Sequence, residues 1–182
     1  ATAPRAPCRR LRSAGWQRFF ATNNQPSICW KFPRRSEPDP NHMPAQFTHT
    51  RVVQFADTDV AGIVHFANFY RWMEEAEHAY LRSLGFSVMQ KQPDGTVIGF
   101  PRVQASCRFK APAFFEDELQ VDVNVVRRGV KSLTFSFEFR RGETCIATGE
   151  MKTVCCLCQP GGKLESIEIP PRYCEKLVEA TP

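Results

Sequence analysis

The chain of 182 residues lacks several features that would assign it to a class at once. No apolar run approaches the roughly 18 residues needed to cross a bilayer, so a membrane span is not expected. No paired C-x-x-C knuckles occur among the eight cysteines (Cys8, Cys29, Cys107, Cys145, Cys155, Cys156, Cys158 and Cys174), so zinc has little support and no metal site is expected. Cys155, Cys156 and Cys158 fall in an apparent strand, T-V-C-C-L-C, where they read as small apolar residues. No secretory signal is evident, which points to a reducing interior, the cytoplasm first. Acidic residues are missing altogether from positions 1–36, which carry eight basic ones. The remaining residues hold 16 basic and 19 acidic side chains, a net of −3, so the body is mildly acidic despite a whole-chain pI of 8.9. Nucleic-acid binding is therefore not read from the charge.

Residues 1–44 also lack sustained periodicity. Seven prolines punctuate them and R-R occurs twice. They read as a basic, Pro-rich N-terminal extension, expected to be largely disordered. Such a leader is open to three readings: an organelle transit peptide, a solvated extension, or upstream sequence ahead of an initiator at Met43.

The pattern changes in residues 45–182, which read as one domain. Q-F-T-H-T-R-V-V-Q-F suggests a first strand. Residues 68–84 follow a helical period, with Phe69, Trp72, Met73, Ala76, Tyr80 and Leu84 on one face. Asn68 is predicted to cap that helix and Gly85 to end it. Strand patterns then dominate, over 97–109, 118–127, 132–140 and 144–158. In 132–140, Leu133, Phe135, Phe137 and Phe139 share one face. A short helix over about 171–180 is expected to close the chain. One long helix followed by an antiparallel meander implies an α+β fold in which the sheet covers the apolar stripe of the helix.

The segment F-A-D-T-D-V-A-G-I-V-H-F-A-N-F-Y-R-W-M, residues 55–73, places Asp57 and Asp59 just ahead of an apolar run and a helix start. Two readings stand for these carboxylates. They are loop residues making Asx-type turns, or one of them is a reactive group. The segment resembles the signature of 4-hydroxybenzoyl-CoA thioesterases and related acyl-CoA thioesterases: an Asp, x-x-Gly, an apolar residue and Val, two further residues, then x-Asn and an aromatic. Lys110–Leu119, Val126–Ser132 and Ile167–Tyr173 are similar to later segments of the same family, so the resemblance spans roughly residues 47–178.

The resemblance implies a hotdog fold, in which a curved antiparallel sheet wraps a central helix. It implies hydrolysis of an aromatic or short- to medium-chain acyl-CoA to free acid and coenzyme A. Asp59, three residues before Gly62, matches the family's acid, as nucleophile or as general base on water. The backbone N–H of Phe66, seven residues later, matches the donor to the thioester oxygen, and Gly62 supplies the tight turn between them. Asp57 is then structural. The apolar run is expected to keep water from the carboxylate and the helix start. His65, Asn68 and Glu74 are candidate substrate contacts, although many relatives carry their histidine one residue later, where this chain has Phe66. Arg127, Arg128 and Lys131 form a basic turn suited to the phosphates of coenzyme A. No cofactor is implied beyond coenzyme A, which is part of the substrate. A homodimer or homotetramer is expected, with sheets paired edge to edge and the Phe-rich strand 132–140 buried between subunits. The competing reading is a non-catalytic hotdog module that binds acyl-CoA or serves assembly; an acid beside the thioester argues against it.

Overall fold

A computed structural model describes residues 45–159 and 161–181. The expectations placed on residues 1–44, with Cys8 and Cys29, lie outside the described residues. The element order is β1 (Phe47–Val52), a 3-10 turn (Phe55–Asp57), α1 (Ala67–Ser83), β2 (Met89–Lys91), β3 (Val97–Gly99), β4 (Arg102–Phe109), β5 (Glu118–Arg128), β6 (Ser132–Arg141), β7 (Thr144–Val154), β8 (Cys156–Cys158), β9 (Leu164–Ser166) and α2 (Pro171–Cys174).

Every strand pair is antiparallel. Five strands form one sheet in the order β1-β5-β6-β7-β4, and four form a second in the order β2-β3-β8-β9. The two sheets share long strand paths. The predicted strand over 97–109 breaks at Phe100–Pro101 into β3 and β4, because proline has no N–H for the ladder. The predicted strand over 144–158 breaks at Cys155 into β7 and β8. Val154 N–H donates to the Pro101 carbonyl at 3.0 Å, so the two breaks lie side by side.

The period-2 patterns of β5 and β6 are what make α1 buriable. Leu119, Val121, Val123 and Val125 face the core from β5, and Leu133, Phe135, Phe137 and Phe139 face it from β6. The register pairs Val121 with Phe139, Val123 with Phe137 and Val125 with Phe135. Onto this surface α1 lays Phe69, Trp72, Met73, Ala76 and Tyr80, each large side chain contributing about 1.5–3 kcal/mol by its burial. Phe139 meets Phe69 at 5.1 Å between ring centroids and Trp72 at 6.5 Å. The phenylalanines of strand 132–140 thus belong to the core of one subunit and are not available to bury a subunit contact, which corrects the expectation above.

Gly149 in β7 lets the helix approach this closely. A Cβ there would collide with the sulfur of buried Met73 and lie 3.2 Å from the Ser106 carbonyl oxygen. The helix ends as its sequence predicts. Gly85 adopts φ +83°, its N–H donates to Arg82 O and the Phe86 N–H donates to Leu81 O, both at 2.9 Å, a Schellman closure.

Helix α2 is shorter than predicted, four residues only. Beyond it the chain is drawn away to β5, where Ala180 N–H donates to Val125 O at 2.8 Å. No helix among the described residues is long and apolar enough to cross a membrane. The six described cysteines are free thiols. Burial pushes Cys107 and Cys155 up to about 11, as expected of packing residues rather than nucleophiles.

Candidate active site

The two aspartates of the D-T-D segment do different work. Asp57 closes the 3-10 turn and is buried. Its Oδ2 accepts from the Gln54 N–H at 2.8 Å and from Arg51 Nη2 at 3.2 Å. Arg51 is itself held by Glu75 at 3.3 Å and lies 5.5 Å from the centroid of Trp72. Asp57 is thus committed to holding the turn and Arg51.

Asp59 is half-exposed. One carboxylate oxygen, Oδ1, accepts the Ala61 N–H at 2.8 Å, while Oδ2 has no partner among the described residues. The two sequence readings therefore meet in one residue: an Asx turn uses one oxygen and leaves the other free. The Asp59 N–H donates to Ile63 O and the Asp59 carbonyl accepts from the Gly62 N–H, both at 2.9 Å. Gly62 sits at φ +75°, and a Cβ there would meet nothing within 4 Å. The glycine is needed for its backbone conformation, not for space.

This loop is tied to the start of α1. Thr58 bridges to Val64, and Ile63 to Phe114. The Val64 N–H donates to Ala113 O at 2.8 Å. The Asp57 carbonyl then accepts twice, from the His65 N–H at 2.9 Å and from Asn68 Nδ2 at 2.8 Å. Asn68 is not the N-cap. The helix starts at Ala67, with Phe66 in the capping position, two residues before the predicted cap. Asn68 lies inside the first turn, and its amide points back to the aspartate loop.

The first-turn donors can be followed one by one. The Asn68 N–H goes to His65 O at 3.0 Å and the Phe69 N–H to Phe66 O at 3.3 Å. The Ala67 N–H goes to His65 Nδ1 at 3.3 Å, so His65 takes the acceptor role that the sequence assigned to Asn68. The imidazole also packs on Phe66, 4.6 Å between centroids. The Phe66 N–H has no acceptor among the described residues. A free donor at the positive end of a helix is what a developing oxyanion needs.

The expected dryness is absent from the single chain. Val64 and Phe69 enter the core, but Ala61, Gly62, His65 and Phe66 are exposed and Val60 is fully so. Exposed aromatic rings surround the loop: Phe55 and Phe115 lie 6.0 Å apart, edge to face, and Phe109 is half-exposed against Phe69 at 5.2 Å.

Helix α1 has two flanks. Arg51 and Phe47 close one from β1. Along the other runs the edge strand β4, whose side chains are mostly exposed. The seam between α1 and β4 begins at Phe69 and Phe109 and ends in a polar cluster. There Arg102 Nη1 pairs with Glu74 at 3.1 Å, and Arg102 Nη2 meets Glu77 at 2.7 Å and His78 Nε2 at 2.9 Å. Glu74 also lies 3.8 Å from His78. Burial, and then the charge of Arg102, lowers the pKa of His78. Glu74 keeps nearly half of its side chain exposed.

Sequence reasoning missed Glu77, which is wholly buried. Burial pushes its carboxyl up to about 7 against the pull of Arg102. One signal was legible: Glu77 stands four residues after Met73 and three before Tyr80, on the edge of the apolar stripe.

The basic turn divides. Arg127 is exposed and has no partner among the described residues. Lys131 is exposed and donates to Ser166 O at 3.1 Å. Arg128 is occupied elsewhere: its guanidinium donates to the Cys174 and Leu177 carbonyls, and its N–H to Glu179 Oε1 at 2.7 Å. It holds the C-terminal segment, which removes it from the set expected to meet coenzyme A phosphates.

Residues 53–177 match the family model described as the thioesterase-like superfamily. A protein of Aquifex aeolicus, provisionally named an esterase, is 34% identical over 121 residues, 66% of this chain and 91% of that one. The 1,4-dihydroxy-2-naphthoyl-CoA hydrolase of Nostoc punctiforme is 32% identical over 109 residues, 60% of this chain and 73% of that one. Among solved structures, a gentisyl-coenzyme A thioesterase aligns with a TM-score of 0.60 and 32% identity, over 72% of this chain and 98% of that one.

Proposed function

The chain belongs to the thioesterase-like superfamily and is a thioester hydrolase of hotdog fold; on that premise we propose that it hydrolyses an aromatic acyl-CoA using Asp59 and the Phe66 amide. The observation that carries this reading is the unpartnered Phe66 N–H at the helix start to which the Asp59 loop is bonded. As the thioester carbonyl becomes tetrahedral, that N–H takes up the charge on oxygen, worth about 2.7–4 kcal/mol to the transition state. Asp59 Oδ2 supplies the other half. It attacks the carbonyl carbon, coenzyme A leaves as the thiolate, and water opens the resulting anhydride; or it takes a proton from the attacking water.

An aromatic acyl group is favoured over a simple aliphatic chain by the seam between α1 and β4. Its near end is lined by Phe69 and Phe109, and its far end holds Glu74 beside Arg102. An aromatic acyl group with a distal hydroxyl meets apolar walls first and an acceptor last. The names of two relatives, a dihydroxynaphthoyl-CoA hydrolase and a gentisyl-coenzyme A thioesterase, point the same way. Arg127 and Lys131 are left to meet the phosphates of coenzyme A. The exposed rings at Phe55, Phe66 and Phe115 suit a second copy of the chain that closes the site and excludes water, as a homodimer or homotetramer would.

A thiol-release assay over hydroxylated aroyl-, unsubstituted aroyl- and fatty acyl-CoAs tests the reading. The expected result is fastest turnover on the hydroxylated aroyl thioesters. Turnover confined to long fatty acyl-CoAs would overturn the aromatic assignment, and no thiol release from any of them would overturn acyl-CoA as the substrate.

A further inference from the structure

Glu77 is a buried carboxylate in the middle of a helix that packs against an apolar sheet, and the chemistry at Asp59 makes no use of it. Its Oε1 and the Nε of Arg102 are both buried without a partner. A leucine there would pack without desolvating a charge. Stability alone is a poor reason for this residue.

Its one strong contact suggests another. Glu77 Oε2 binds Arg102 Nη2 at 2.7 Å, and His78 Nε2 binds the same nitrogen at 2.9 Å. The other arm of the fork, Nη1, holds Glu74 Oε1 at 3.1 Å. Arg102 opens β4, an edge strand with no neighbour on its outer side among the described residues. Without the buried anchor, only the partly exposed Glu74 and His78 would hold this long side chain. With it, the planar fork has one pose, and that pose sets where Glu74 stands. The second oxygen of Glu74, Oε2, has no partner among the described residues. Side chains on a helix lean toward its N-terminus, so Glu74 leans toward the end where Phe66 and the Asp59 loop lie.

We infer that Glu77 is a positioning residue for substrate recognition: through Arg102 it fixes the Glu74 carboxylate at the far end of the acyl subsite. The inference rests on the proposed reading of that seam as the acyl site. It also accounts for the whole cluster, in which one acid is buried to hold a cation and the other is half-exposed to meet a ligand.

The test compares 4-hydroxybenzoyl-CoA with benzoyl-CoA, which differ only in the distal hydroxyl, at mildly alkaline pH where Glu77 is ionised. The wild-type full chain is expected to prefer the hydroxylated thioester. Glu77→Gln keeps the shape of the side chain and loses the charge-assisted bond. It is expected to raise KM for 4-hydroxybenzoyl-CoA about tenfold, with kcat and both benzoyl-CoA constants nearly unchanged. Glu74→Gln is expected to lose the same preference, and the double variant to lose little more, because the two act in series. Arg102→Lys, which cannot hold both acids with one fork, gives a second route to the same outcome should the Gln variant fold poorly. Equal losses on both substrates, no loss on either, or additive losses in the double variant would overturn the positioning role. A wild-type chain that hydrolyses both thioesters equally would also overturn it while leaving the thioesterase reading intact; one that hydrolyses neither would strike the proposed substrate instead.

Discussion

The side-chain amide of Asn68 donates to the backbone carbonyl of Asp57 at 2.8 Å, and the His65 N–H donates to the same oxygen at 2.9 Å. One carbonyl thus joins the aspartate loop to the first turn of the only long helix among the described residues. The relation between Asp59 and the Phe66 N–H depends on that junction.

Replacing Asp59 with Asn is expected to lower thioester turnover at least about a hundredfold, since it removes the nucleophile or base while keeping the size of the side chain. The Asx acceptor survives as the amide oxygen, so the melting temperature is expected to stay close to wild type. Asp57→Ala is expected to do the reverse to stability. It unpairs the Gln54 N–H and Arg51 and costs about 1–3 kcal/mol. Parallel thiol-release and thermal-melt measurements separate the two roles; full activity in the Asn variant of Asp59 would end the mechanism.

Gly149→Ala pushes a methyl group into the Met73 sulfur and to 3.2 Å from the Ser106 carbonyl oxygen. A loss of about 1–3 kcal/mol is expected by urea denaturation. Adding Met73→Leu, which removes the colliding sulfur, is expected to restore part of it. A neutral Gly149→Ala would mean that α1 sits further from β7 than described.

Glu77 makes stability depend on pH. Its folded-state value, about 7, lies above its ordinary 4.5. Between those values the native chain keeps a proton that the unfolded chain has released, so the native state is favoured by protonation. That contribution is whole below 4.5 and drains away as pH rises to about 7, a total of about 3 kcal/mol. The difference in unfolding free energy between wild type and Glu77→Gln, followed across that window by urea midpoints, is expected to move against wild type as pH rises. A flat difference would contradict the assignment.

Arg127 and Arg128 are adjacent and are expected to behave differently. Arg127→Ala is expected to raise KM for acyl-CoA with little change in melting temperature. Arg128→Ala frees the Cys174 and Leu177 carbonyls and is expected to lower the melting temperature by several degrees. Measuring both quantities on both variants checks the division; identical profiles would refute it.

The sequence alone determined whatever depends on local periodicity and local chemistry. Alternation in 118–127 and 132–140 marked the two central strands, since only one face of a pleated strand is buried. The helical stripe from Phe69 to Tyr80 and the stop at Gly85 followed from 3.6-residue spacing and a left-handed turn. The D-T-D-V-A-G-I-V-H-F-A-N-F segment carried the family resemblance that made Asp59, Gly62 and Phe66 candidates. Tertiary structure decided how each polar group was used, because hydrogen-bond partners distant in sequence leave no local trace. It gave the capping acceptor to His65 and turned Asn68 toward Asp57. It committed Arg128 to a carbonyl pair some fifty residues downstream, and buried Glu77 only because Arg102 comes from β4 to meet it. It also left residues 60–62, 65 and 66 exposed in the single chain, since how much water reaches a residue depends on what packs over it.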